Sequence, residues 1–130
     1  MTPHRILQLN ALSTAACAVA MLVTRGTLYS FFGLEAPLML DVLAIGLLAY
    51  ASALVLAARR QPVGRQALMF FTVADGVWVA ASAIVLLMFW SQLAPVARVL
   101  IIAVALVVEI FATLQFRAAR TVDPRSLEVA

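Results

Sequence analysis

Four long runs of apolar residues, each interrupted by only a few polar positions, organise this chain. They cover about residues 6–24, 37–58, 66–90 and 95–116. Each is close to the ~20 residues that a helix needs to cross the hydrocarbon core of a bilayer. Pro37 and Pro95 fall where first helical turns would begin, positions at which the missing N–H costs nothing. Gly64, within "RRQPVGR", marks a tight turn between the second and third runs, and the aromatic "LYSFF" at 28–32 extends the first. The pattern predicts an all-α membrane protein. Its four-transmembrane-helix bundle forms a single domain over residues 1–120, followed by a polar, proline-broken tail at 121–130.

The polar interruptions recur at helical spacing. Asn10, Ser13, Thr14 and Cys17 follow an i, i+3, i+4, i+7 pattern in the first run. Asp41 and Ser52 share an angle in the second, as do Thr72, Asp75 and Ser82 in the third, and Arg98, Glu109 and Thr113 in the fourth. Each helix is therefore expected to carry one polar stripe facing the bundle core. Gly76, Ala80, Ala105 and Ala112 lie near these stripes, where small side chains would let helices approach closely.

Composition supports the membrane reading. Hydrophobic residues make up 65% of the 130 positions and charged residues 12%, with a mean hydropathy of +1.08. A soluble domain of this length has too little interior to hide so much apolar surface. All nine basic residues are arginine, which together with the abundant Ala and Val points to a bacterial source. Arg5, Arg59, Arg60, Arg65, Arg117, Arg120 and Arg125 fall on one side of the four spans, and only Arg25 and Arg98 on the other. The positive-inside rule then predicts an inner-membrane protein with both termini cytoplasmic. Tyr29, Phe31, Phe32, Phe89 and Trp90 would form an aromatic belt at the opposite interface. "MTPHR" followed by Ala18-Val19-Ala20 has the outline of a signal peptide, but Gln8 and Asn10 interrupt its apolar region and apolar sequence continues to Thr24. The first run is expected to remain as a span.

Depth narrows the candidates. At about 1.5 Å per residue from the bounding arginine, Asp75 lies roughly 15 Å deep and Glu109 roughly 12 Å. Ser13 and Thr14 come out at roughly 12–14 Å, Ser52 and Thr72 at roughly 10 Å, and Asn10 somewhat shallower. This layer has no arginine at its level. Asp75 and Glu109 are predicted to form a proton- or ligand-binding pair that holds one or two protons at neutral pH and titrates as a unit. Asn10, Ser13, Thr14, Ser52 and Thr72 are its expected polar neighbours. The same residues could instead act as hydrogen-bonding glue between helices. Asp41 and Arg98 share a second level, roughly 27–29 Å from the same edge, and are predicted to form an interhelical ion pair. Tyr50 and Trp78 offer aromatic walls for a lipophilic cation, although phase places Tyr50 opposite the face of Ser52. His4 is expected to be solvated and Cys17 to pack as a small core residue.

Several classes lose support. A single His cannot supply a bis-His haem site, and there is no CxxC, G-x-x-x-x-G-K-[ST] or G-x-G-x-x-G motif. No metal site, cofactor, enzymatic activity or nucleic-acid partner is expected. The expected partners are membrane lipids and either a second copy or a larger membrane complex. The leading expectation is a proton-linked carrier or channel built on the mid-membrane carboxylate pair. The alternatives are a non-catalytic accessory or scaffold subunit and a binder of a lipophilic ligand. In size and helix count the chain resembles the small multidrug carriers. Their membrane glutamate lies in the first helix, where this chain has Asn10, Ser13 and Thr14, so the family assignment does not follow.

Overall fold

A computed structural model describes residues 2–24, 26–27 and 37–122, with no side-chain description for residues 37–40. Helix α1 spans Pro3–Val23, α2 Pro37–Arg59, α3 Arg65–Phe89 and α4 Pro95–Thr121. All four are long and apolar enough to cross a membrane, and only 11–28% of the most apolar window of each is buried inside the bundle. Most of their Leu, Val, Ile and Phe side chains therefore face outward, an arrangement that suits lipid and not water. The expectations for Arg25, Tyr29, Phe31, Phe32, Arg125 and the helical extension at 28–32 lie outside the described residues, as does the tail from 123 onward.

Two helix ends differ from the apolar pattern, for local reasons. α1 starts at Pro3 because Thr2 caps it, its hydroxyl accepting from the Arg5 amide at 3.4 Å, with proline in the first turn. α4 runs to Thr121, past the end of the apolar run near 116, because Arg117 and Arg120 are good helix formers. Arg120 lays its guanidinium over the Phe116 ring at 5.9 Å. Between α2 and α3, Gly64 is the extended N-cap of α3, at φ −73 and ψ 150.

The helices pack as two antiparallel hairpins, α1 with α2 and α3 with α4, and the hairpins meet chiefly where α1 touches α4. A compact apolar cluster that includes Ile6, Leu7, Leu54, Leu68, Phe71 and Ala119 closes the arginine-rich end. There α1 and α3 begin, and α2 and α4 finish. His4 is part of this closure: its Nδ1 donates to the Ala58 carbonyl at 2.6 Å, tying α1 to α2. The expectation that His4 is merely solvated is corrected by this bond. His4→Ala is expected to destabilise the chain by about 1 kcal/mol. An unchanged melting temperature in detergent would show that the bond contributes nothing.

Gly76 does not mark a close helix crossing, because a Cβ built there meets nothing within 4 Å. The face that α4 turns inward is formed by Ala97, Ala112, Gln115, Ala118 and Ala119.

Candidate functional site

Above the closed end, one residue from each of the other three helices converges on Asp75 of α3. Asn10 of α1 donates through Nδ2 to Asp75 Oδ2 at 2.9 Å. Gln115 of α4 donates through Nε2 to the same oxygen at 2.8 Å. Tyr50 of α2 donates its hydroxyl proton to Asp75 Oδ1 at 2.7 Å. All of Asn10, Asp75 and Gln115 are at most 3% exposed. Asn10 is oriented in turn by Thr14, whose hydroxyl donates to Asn10 Oδ1 at 3.2 Å and so leaves Nδ2 aimed at the carboxyl. An ionised carboxylate accepts at about four lone-pair positions, and three neutral donors occupy three of them.

The Tyr50 hydroxyl also lies 3.4 Å from the Phe71 carbonyl, one turn before Asp75 on α3. Tyr50 and Phe71 pack edge to face at 5.6 Å, which holds the phenol in place. Two proton arrangements then keep both Asp75 and Tyr50 hydrogen-bonded. With Asp75 ionised, Tyr50 donates to Oδ1. With Asp75 protonated on Oδ1, the acid donates to the phenol oxygen and Tyr50 turns its own proton to the Phe71 carbonyl.

On the side away from the closed end, a half-open cavity of about 570 Å³ ends on Asp75. All four helices line it. Asn10, Ser13, Thr14, Cys17, Tyr50 and Asp75 supply its polar positions. Apolar side chains make up most of the remaining wall, among them Leu43, Val104 and Phe111. Trp78 lines it one turn beyond Asp75, and its buried Nε1 has no hydrogen-bond partner. A second cavity of about 360 Å³ continues toward Met21, Ser82 and Leu100 and shares Cys17, Leu43, Trp78 and Val104 with the first. Among the described residues no arginine, lysine or histidine lines either cavity. No cluster of His, Cys, Asp and Glu suited to a metal ion occurs among them.

The structure distributes the expected site residues unevenly. Asn10, Ser13, Thr14 and Asp75 come together at the cavity. Glu109 does not join them: it is exposed. At 100° per residue it lies about 120° around α4 from Gln115, which points at Asp75. The stripe Arg98, Glu109 and Thr113 is rotated away from the small-residue face that packs. Ser52 is exposed as well, and its hydroxyl donates to the Leu48 carbonyl. Thr72, Ser82 and Thr113 likewise bond the carbonyl four residues earlier on their own helices, so these hydroxyls satisfy themselves instead of bridging helices. Arg98 lays its guanidinium over the Trp90 ring at 4.5 Å.

Two central residues, Tyr50 and Gln115, donate to Asp75 without being among the polar neighbours expected for it. Helical phase sets Tyr50 opposite Ser52; with Ser52 exposed, the tyrosine two positions earlier faces the core. Gln115 lies at the end of the fourth apolar run, beside the polar residues that follow it. The available signal was its place between Ala112 and the Ala118-Ala119 pair, on the face made of small residues.

Fold and site together define an all-helical protein with four candidate membrane-spanning helices around a carboxyl-floored cavity. No family model, curated protein or solved structure matches the chain.

Proposed function

We propose that this protein binds a small, largely apolar ligand within the membrane and that Asp75 anchors it. The observation that carries this reading is the half-open cavity of about 570 Å³ whose floor is the one buried carboxyl among the described residues. Pockets of a few hundred cubic ångströms with mainly apolar walls and a few convergent polar groups suit small ligands. Intramembrane ionisable groups that face a cavity mark function by default. In the bilayer the arginine-rich end would lie on the cytoplasmic side of a bacterial inner membrane, with both termini there. The cavity would then run from mid-membrane toward the outer face.

A second reading is supported by the uneven packing. A bundle closed at one end and hollow beyond it has the form of one state of an alternating-access cycle. Asp75, with its two bonded proton arrangements, would be the proton-binding group of a proton-linked carrier. Glu109 would take no part in that exchange.

Trp78 provides the test, because it lines both cavities. In the Trp90→Phe variant it is the sole tryptophan. Titration of the purified full chain with phenethyl alcohol, a small water-soluble probe, should change Trp78 emission saturably. A change that only grows in proportion to the probe, as lipid partitioning would give, sinks the binding reading.

A further inference from the structure

Resting on the binding reading above, we infer that the ligand class is a lipophilic primary or secondary amine, bound as its ammonium in exchange for a proton on Asp75. Three features lead there. Asn10, Tyr50 and Gln115 fill three of the acceptor positions of the carboxylate, and all three are neutral. They can solvate a negative charge in place of water, but they cannot cancel it. No arginine, lysine or histidine among the described residues lines the cavity to do so. What remains at the floor is one open acceptor position on Oδ1 and one uncompensated charge, which a single N⁺–H group fills.

The walls fit the rest of such a molecule. Tyr50, Trp78 and Phe111 line the cavity and present aromatic surface to a cation and to the apolar body attached to it. Trp78 Nε1 is buried without a partner one helical turn from Asp75, so a ligand oxygen or other acceptor near the amine is favoured further.

The exchange balances. In the empty site the proton sits on Asp75 Oδ1, the acid donates to the Tyr50 oxygen, and Tyr50 donates to the Phe71 carbonyl. An ammonium entering from water displaces that proton to water, and Tyr50 turns back to donate to Oδ1. The site is neutral in both states, once by a proton and once by an ammonium. The titratable groups near Asp75 are Tyr50 on α2 and the Cys17 thiol on α1; α4 presents Gln115, with Glu109 exposed. Asp75 is therefore the group at which proton and amine compete.

Matched probes test this in the Trp90→Phe chain held in phosphatidylcholine nanodiscs. Phenethylamine and phenethyl alcohol differ only in the polar group. The amine should bind about tenfold or more tightly than the alcohol, as expected for a hydrogen bond to a charged group. Asp75→Asn should erase that preference, whereas Glu109→Gln, on an exposed residue outside the cavity, should leave both the preference and alcohol binding unchanged. Acidification from neutral pH should weaken the amine and not the alcohol. Equal binding of amine and alcohol, with both lost in Gly46→Leu, overturns the amine inference and leaves the cavity reading standing. Saturable binding of neither probe overturns both.

Discussion

Asp75→Ala is expected to destabilise the folded chain by about 2–4 kcal/mol, the largest loss from any single truncation in the bundle. The substitution removes the acceptor for three donors on three other helices at once. Gln115 is fully buried and lines neither cavity, so its Nε2 would be left without a partner. Interhelical hydrogen bonds in membranes contribute about 0.6 kcal/mol on average and up to about 1.7 each, so three bonds and an uncovered polar group account for the range. Asp75→Asn should cost less than about 1 kcal/mol. Its amide oxygen can accept from Asn10 and Gln115, and its NH₂ can donate to the Tyr50 oxygen while Tyr50 donates to Phe71. Equilibrium unfolding in mixed micelles separates the two variants. Equal stability of Asp75→Ala and wild type would mean that the four-helix junction holds nothing together.

The second large effect concerns Gly46. This residue lines the main cavity, and a Cβ built on it meets nothing within 4 Å. Gly46→Leu should project a side chain into the ligand space, and its Cβ meets no neighbour there. It should also gain a few tenths of a kcal/mol to about 1 kcal/mol of helix stability, since glycine is among the weakest helix formers. Binding of any probe should fall by about tenfold or more, equivalent to about 1.4 kcal/mol, because the added side chain takes up part of the cavity. Gly76→Leu is the matched control. It too adds a side chain into open space, but Gly76 does not line the cavity, so binding should stay at wild-type strength. Titration of both variants with phenethylamine checks the pair. Weak binding in both would show that the change acts through the helices and not through the cavity.

The spans were legible because apolar length is a strong signal and needs no knowledge of packing. Asp75 was legible because a carboxyl ten residues inside an apolar helix is costly wherever it points. The rest of the site depended on which face of each helix turned inward, and polarity was a poor guide to that. Serine and threonine can bond their own helix, as Ser52, Thr72, Ser82 and Thr113 do, so they mark no interior. Glu109 aligns with Arg98 and Thr113 into a polar stripe, yet small volume decides which face of α4 packs, and alanines together with Gln115 set it. On α1 the two criteria coincide, and Asn10, Ser13, Thr14 and Cys17 all reach the cavity.

That split gives Asp75 two roles that are compatible in one residue. Its carboxyl joins the four helices on one side and forms the cavity floor on the other. The bonds from Asn10 and Gln115 go to Oδ2, while Oδ1 carries only Tyr50, so one oxygen serves the junction and the other is open to exchange.

Whether solvent and solutes reach that floor in the folded protein is the central claim, and Cys17 reports on it directly. It is the only cysteine in the chain, and it lines both cavities. Thiol alkylation requires the thiolate and hence local access to water. In nanodiscs, N-ethylmaleimide should label Cys17 in the folded wild-type chain, and saturating phenethylamine should slow that labelling. A Cys17 that stays unlabelled until the protein is unfolded would contradict the account, because the space above Asp75 would then be a dry, closed core.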